Sequence, residues 1–120
     1  MARFLRSAGW ALSGIGHALR TQRHMRFHVM MAVLVIAAGL WFRISGLEWV
    51  IVLLTAALVI AAELFNTAIE SIVDLASPGQ HPLAKAAKDI AAGAVLVLAF
   101  AAVVIGLIVF LPHMRILLFD

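Results

Sequence analysis

Trp49-Val-Ile-Val-Leu-Leu-Thr-Ala-Ala-Leu-Val-Ile-Ala-Ala-Glu63-Leu-Phe-Asn66-Thr-Ala-Ile-Glu70-Ser-Ile-Val-Asp74 is the stretch that decides the fold. Before Glu63, Thr55 alone interrupts the apolar run. Beyond it the pattern stays helical, but four polar side chains enter: Glu63, Asn66, Glu70 and Asp74. At 100° per residue they fall within about 80° of one another, so they form one narrow stripe on a greasy helix. Carboxylates are expensive in hydrocarbon and are rarely kept there without a pairing, ion-binding or proton-handling role. The stripe marks the expected site of chemistry.

Composition supports a membrane setting for this helix. The 120 residues are 65% hydrophobic and 12% charged, with a mean hydropathy of +1.11. A water-soluble domain of this size cannot hide that much apolar surface, so the fold class is an all-α membrane protein. The absence of cysteine excludes disulfide frameworks, thiolate catalysis and thiolate metal sites. The basic balance does not call for nucleic acid, because the Lys and Arg residues flank membrane spans, where anionic headgroups account for them. The chain reads as a single membrane domain over 1–120.

Working outward, three spans can be drawn, at 27–47, 48–76 and 85–112. The last contains 90–111, which carries no charge and is long enough to cross. Ser77-Pro78-Gly79 stops the second. The first is the shortest apolar run, with Arg43 snorkelling near its end and Trp41 and Trp49 marking one interface. Ahead of them, 1–26 alternates Arg3, Arg6, Arg20, Arg23 and Arg26 with Phe4, Leu5, Trp10, Leu12, Ile15 and Leu19, an amphipathic helix suited to the membrane surface rather than a signal peptide. With three spans, that helix shares a side with the 77–89 loop and its Lys85 and Lys88, while Arg43 and Arg115 lie opposite. The positive-inside rule puts the N-terminus and the polar end of the second span in the cytoplasm.

That topology gathers polar groups from three segments at one face: the stripe, Lys85 and Lys88, and the stretch Gln22, Arg23, His24, Arg26 and His28. Carboxylates hold Mg²⁺ and cations hold phosphate oxygens, so the mixture beside a bilayer suggests phosphoryl transfer to a lipid. Plainer readings compete. Interhelical hydrogen bonding alone would explain Glu63, Asn66 and Glu70, and Asp74 alone would be an interfacial residue. Glu48 and Asp120 are expected to face water, and His17, His81 and His113 to be solvated or interfacial. His24 and His28 are spaced i, i+4, but no third metal ligand accompanies them. No Gly-x-x-x-x-Gly-Lys-Ser/Thr loop is present, so any nucleotide site is built in another way.

The motif Glu63-x-x-Asn66-x-x-x-Glu70-x-x-x-Asp74, followed by Ala84-Lys-Ala-Ala-Lys88-Asp89-Ile-Ala-Ala-Gly-Ala-Val-Leu96, resembles the small integral-membrane diacylglycerol kinases of bacteria. The resemblance covers nearly the whole chain, including Ala8-Gly9, Arg26 and His28. The Ala-Ala-Gly-Ala-Val-Leu segment and Arg26-Phe-His28 are similar to the undecaprenol kinase branch. The resemblance implies a homotrimer in the bacterial plasma membrane, with ATP entering from the cytoplasm and a membrane lipid alcohol arriving laterally. The lipid would be undecaprenol, with diacylglycerol as the alternative. It further implies Glu63 as the base, Glu70 as an Mg²⁺ ligand, and Asn66, Lys88 and Asp89 as nucleotide-binding residues. Arg26 and Asp74 would take substrate-binding or supporting roles. Small residues such as Ala57, Ala61, Ala99, Ala102 and Gly106 would permit the close helix packing of a trimer.

One departure stands out. Where the family usually carries a second metal-binding glutamate, this chain has Gln22, and His24 replaces a usual asparagine. A glutamine oxygen can ligate Mg²⁺ but adds no charge, which weakens the site. The competing class is a non-enzymatic membrane oligomer or an ion carrier. A carrier would spread its polar groups through the bilayer, whereas here they cluster at one face.

Overall fold

A computed structural model of the protein describes residues 1–120 as four helices: α1 (Ala2–Thr21), α2 (Arg23–Phe42), α3 (Gly46–Ala76) and α4 (Pro82–Phe119). The last three are each long and apolar enough to cross a membrane. Only 12 of 120 residues are buried, so the hydrophobic content is turned outward, as a lipid-solvated chain requires. α3 packs along α4 and, less extensively, along α2, while α1 touches α2 and α3.

The first helix is shorter than the 1–26 expected. It ends at Thr21, Gln22 adopts an extended backbone (φ −113°, ψ 113°), and Arg23 opens α2. Arg26 explains why a break without Gly or Pro is stable. Its Nη1 donates to the carbonyls of Leu19 at 3.0 Å and Arg20 at 3.1 Å. A guanidinium thus satisfies acceptors that a helix C-terminus leaves open and sits where the helix dipole favours a cation. Arg26 is thus the clip of an elbow between α1 and α2. The adjacent Met25 is completely buried.

The α2–α3 turn is equally specified. Arg43 closes α2 in the left-handed region (φ 52°, ψ 54°), and Ser45 and Glu48 form a reciprocal capping box at the start of α3, with bonds of 3.2 Å and 3.0 Å. Next to this turn α2 approaches α3 closely. A Cβ on Gly39 would lie 2.7 Å from Cη2 of Trp49 and 3.1 Å from Cδ1 of Ile44. Gly39→Ala should therefore force the indole out of its seat and destabilise the protein by about 1–3 kcal/mol, read as a lowered melting temperature in detergent. An unchanged melting temperature would show that the ring yields freely.

The third membrane helix exceeds the expected 85–112 at both ends. His81 caps it, its Nδ1 accepting from the Leu83 N–H at 3.1 Å, and Pro82 occupies the first turn, where no N–H is needed. It also continues through Pro112 to Phe119. Proline removes one intrahelical hydrogen bond but does not forbid continuation, and the segment beyond it is rewarded by a contact. Glu48 and His113 were expected to face solvent or the interface, yet Nε2 of His113 lies 3.1 Å from Oε2 of Glu48. The His113 ring is also 6.0 Å from the Phe42 ring. Beneath that pair, buried Ile44, Val52 and Val109 pack with Phe42, Trp49 and Phe110, tying three helices together at one end of the bundle.

Candidate active site

The polar stripe lies at the other end of α3 and grades from buried to wet. Glu63 is 3% exposed and Asn66 9%, Glu70 is half-buried, and Asp74 is exposed. Neighbouring hydroxyls are already used: Thr67 donates to the Glu63 carbonyl at 2.9 Å and Ser71 to the Thr67 carbonyl at 3.0 Å. Their bonds run back into the helix, leaving the stripe to its carboxylates and amide.

Glu63 has a single ionisable neighbour. Nε2 of His28, on α2, lies 3.7 Å from its Oε2, and no lysine or arginine comes within ion-pairing distance. His28 thus turns toward the carboxylate rather than sharing a metal with His24, which is exposed. Asn66 presents a different case. Its Oδ1 is buried with no hydrogen-bond partner, an arrangement that ordinarily costs about 1–3 kcal/mol and calls for a donor.

At the wet end, Lys88 donates through Nζ to Oδ1 of Asp74, joining α4 to α3, and Lys85 donates to Oδ2 of Asp89 at 2.5 Å along one face of α4. These are exposed pairs, worth little to stability. They do, however, set two cations beside a polar concavity of about 840 Å³ bordered by Asp74, Ser77, Gln80, His81, Lys85 and Lys88. A polyanion there would compete with carboxylates for both lysines. Gln22 stands at the α1–α2 elbow, half-buried, and makes no side-chain hydrogen bond to the stripe.

The stripe offers Mg²⁺ carboxylate oxygens but no closed cage. No three His, Asp or Glu residues converge into a cage. Mg²⁺ does not require one: it keeps several waters and is commonly held by one or two carboxylates plus substrate phosphates. Glu70 is a half-buried carboxylate with no ion-pair partner, so the donor set fits a metal delivered on a nucleotide.

An apolar groove completes the picture. About 290 Å³ of space runs between α2, α3 and α4, bordered by Met31, Val35, Val59, Val103 and Phe110, and His28 lies on its wall. Ala99, Ala102 and Gly106, expected at close helix contacts, line this groove instead, and a Cβ at Gly106 would meet nothing within 4 Å. Thr55 also borders the space, but its hydroxyl donates to the Ile51 carbonyl at 2.6 Å. The imidazole of His28 is therefore the groove's one uncommitted polar side chain, and it stands beside Glu63.

Residues 9–110 match the sequence model of the family described as prokaryotic diacylglycerol kinase. The chain belongs to that family. It is 46% identical over 112 residues to an undecaprenol kinase of Bacillus subtilis, covering 93% of this chain and 91% of the relative. It is also 46% identical over 105 residues to a diacylglycerol kinase of Synechocystis, covering 86% of this chain but only 59% of that longer relative. A diacylglycerol kinase of Escherichia coli K12 is 27% identical over 111 residues, with 92% and 91% covered.

Within this family frame, sequence reasoning missed the His28–Glu63 contact and the groove. The only local sign of the first was a histidine persisting two positions beyond Arg26, where α2 turns apolar. The groove has no local sign, because it arises from how three helices splay.

Proposed function

We propose that this lipid kinase transfers the γ-phosphoryl group of ATP to the hydroxyl of undecaprenol, giving undecaprenyl phosphate and ADP. The observation that carries this reading is the apolar groove leading to the buried Glu63–His28 pair. A lipid whose only polar group is a terminal hydroxyl suits a groove that offers one free polar side chain at its end. The ester carbonyls of a diacylglycerol would find no donors along it. Identity does not separate the two, being 46% to a relative of each name, but the undecaprenol kinase is matched over 91% of its length and the diacylglycerol kinase over 59%.

In the proposed reaction Glu63 accepts the hydroxyl proton as the alcohol oxygen bonds to the γ-phosphorus. The bond from phosphorus to the β–γ bridging oxygen breaks, and ADP leaves with its electron pair. Burial suits this task, since a base kept from bulk water acts on the hydroxyl that reaches it rather than on solvent. Lys88 and Asp89 hold the nucleotide, with Asn66 offering its unpaired carbonyl oxygen to a donor there. Asp74 keeps Lys88 on station until phosphate oxygens displace it. Mg²⁺ held by Glu70, with the neutral oxygen of Gln22 as a weaker second candidate, would draw charge from the phosphates. The rest of catalysis is alignment and charge neutralisation.

The setting we propose is the bacterial plasma membrane, with the stripe's wet end and the N-terminus in the cytoplasm. α1 lies on the surface, its exposed Phe4, Leu5, Trp10 and Leu12 in the headgroup region. Three copies complete the assembly, which covers part of the outward-facing apolar surface. Turnover of undecaprenol and diacylglycerol by purified protein in mixed micelles tests the proposal. The prenol should be preferred in kcat/KM by more than tenfold. Preference for diacylglycerol would reassign the substrate, and turnover of neither would favour a non-enzymatic oligomer.

A further inference from the structure

Glu63 is a carboxylate with 3% exposure on a membrane helix, and its one ionisable neighbour comes from a different helix. His28 is itself 13% exposed, and its ring is set edge-on against Phe27, with centroids 5.5 Å apart at 72°. The imidazole is thus held on one side by an aromatic ring and faces a buried carboxylate on the other. It is also part of the groove wall. One residue therefore touches both the lipid path and the proposed base.

We infer that His28 is the positioning residue for Glu63: its Nε2 holds Oε2 and leaves Oε1 for the hydroxyl of the incoming lipid. The inference rests on the reading of Glu63 as base. A glutamate carboxylate at the end of three rotatable bonds has several rotamers, and each one away from the groove is unproductive. A donor fixed on the neighbouring helix selects one of them. The 3.7 Å separation is longer than a hydrogen bond, which is common in a free enzyme, where such contacts tighten only once substrate is bound. Histidine suits the depth, because as a neutral imidazole it can donate without bringing a permanent charge into hydrocarbon. Lysine and arginine would bring one.

The test uses the full-length protein in mixed micelles with Mg-ATP and undecaprenol, measuring kcat and lipid KM separately. His28→Leu should lower kcat roughly 10- to 100-fold, since misplacing a reacting group by about 1 Å has consequences of that size, while KM changes less than threefold. His28→Gln, whose amide N–H₂ can reach the place of Nε2, should recover most of the rate. The double variant His28→Leu/Glu63→Gln should be no slower than Glu63→Gln alone, because the two side chains act as a unit. A loss confined to KM would make His28 merely groove lining and overturn the inference. Multiplicative losses in the double variant would do the same, as would a His28→Leu enzyme with unchanged kcat. Should His28→Leu fail to fold, His28→Asn, too short to reach Oε2, must still be slower than His28→Gln, and equal rates overturn the inference. Near-normal turnover by Glu63→Gln is the separate outcome that removes the base itself. With Glu63→Gln inactive and His28→Leu at full kcat, the base stands and only its positioning by His28 falls.

Discussion

Glu63→Gln should lower phosphoryl transfer by about 10²–10⁴-fold, the range typical of losing a general base, without lowering the melting temperature. The two halves of this expectation come from the same fact. A side chain 3% exposed is kept from water, and a neutral amide is cheaper to bury there than a carboxylate. A purely structural carboxylate would behave in the opposite way, losing stability with the His28 contact and little else. Nucleotide binding should survive, because Lys88, Asp74 and Glu70 lie further toward the wet end of the stripe. Steady-state turnover and thermal melting of the same preparation decide the matter, and near-normal turnover would remove Glu63 from the base role.

Glu70→Gln should cost about as much, on the order of 10²–10³-fold in turnover, as losing an electrostatic clamp on a transferring phosphoryl group does. Glu70 is the half-buried carboxylate of the stripe with no ion-pair partner, so its replacement leaves the proposed metal without an anionic ligand from α3. The companion variant Gln22→Glu probes the elbow. If Gln22 belongs to the metal shell, the added charge should lower the Mg²⁺ concentration for half-maximal activity, with a smaller change in maximal rate, because hard cations favour anionic oxygens. A Mg²⁺ titration unmoved by Gln22→Glu, beside a large loss in Glu70→Gln, would place Gln22 outside the shell.

Sequence legibility varied with the range of the forces involved. The three spans announce themselves because an apolar run is a local property, and the stop at Ser77 is where Ser77-Pro78-Gly79 puts it. The α1–α2 boundary was placed too late because nothing at Gln22 itself breaks a helix. The break is held by Arg26 reaching back to Leu19 and Arg20. Pro112 misled in the other direction, since a proline is permitted inside a helix whose continuation brings His113 to Glu48, 65 positions away in sequence. One local sign went unread: Ser45-x-x-Glu48 has capping-box spacing, and the box it forms fixes the carboxylate end of that contact. At the site, helical arithmetic puts Glu63, Asn66, Glu70 and Asp74 on one stripe, but not the burial gradient along it, nor the partner that α2 supplies to its deepest member.

The clamping of α3 and α4 has a mechanical consequence. α3 and α4 share the most extensive helix packing in the fold and are joined near one end by Glu48–His113, so together they behave as a door frame. α2 is the door. Its hinge is the Arg43–Ser45 turn, stiffened by the capping box and by Gly39 seated against Trp49, and its far end, joined to α1 at the Gln22 elbow, carries Phe27 and His28. At 1.5 Å per residue, His28 stands about 22 Å from Arg43, so a swing of one degree at the hinge moves it by about 0.4 Å. A few degrees would span the whole tolerance within which a base and its alcohol can react. Residues at the end of the bundle remote from Glu63 would thus set where His28 stands against the carboxylate.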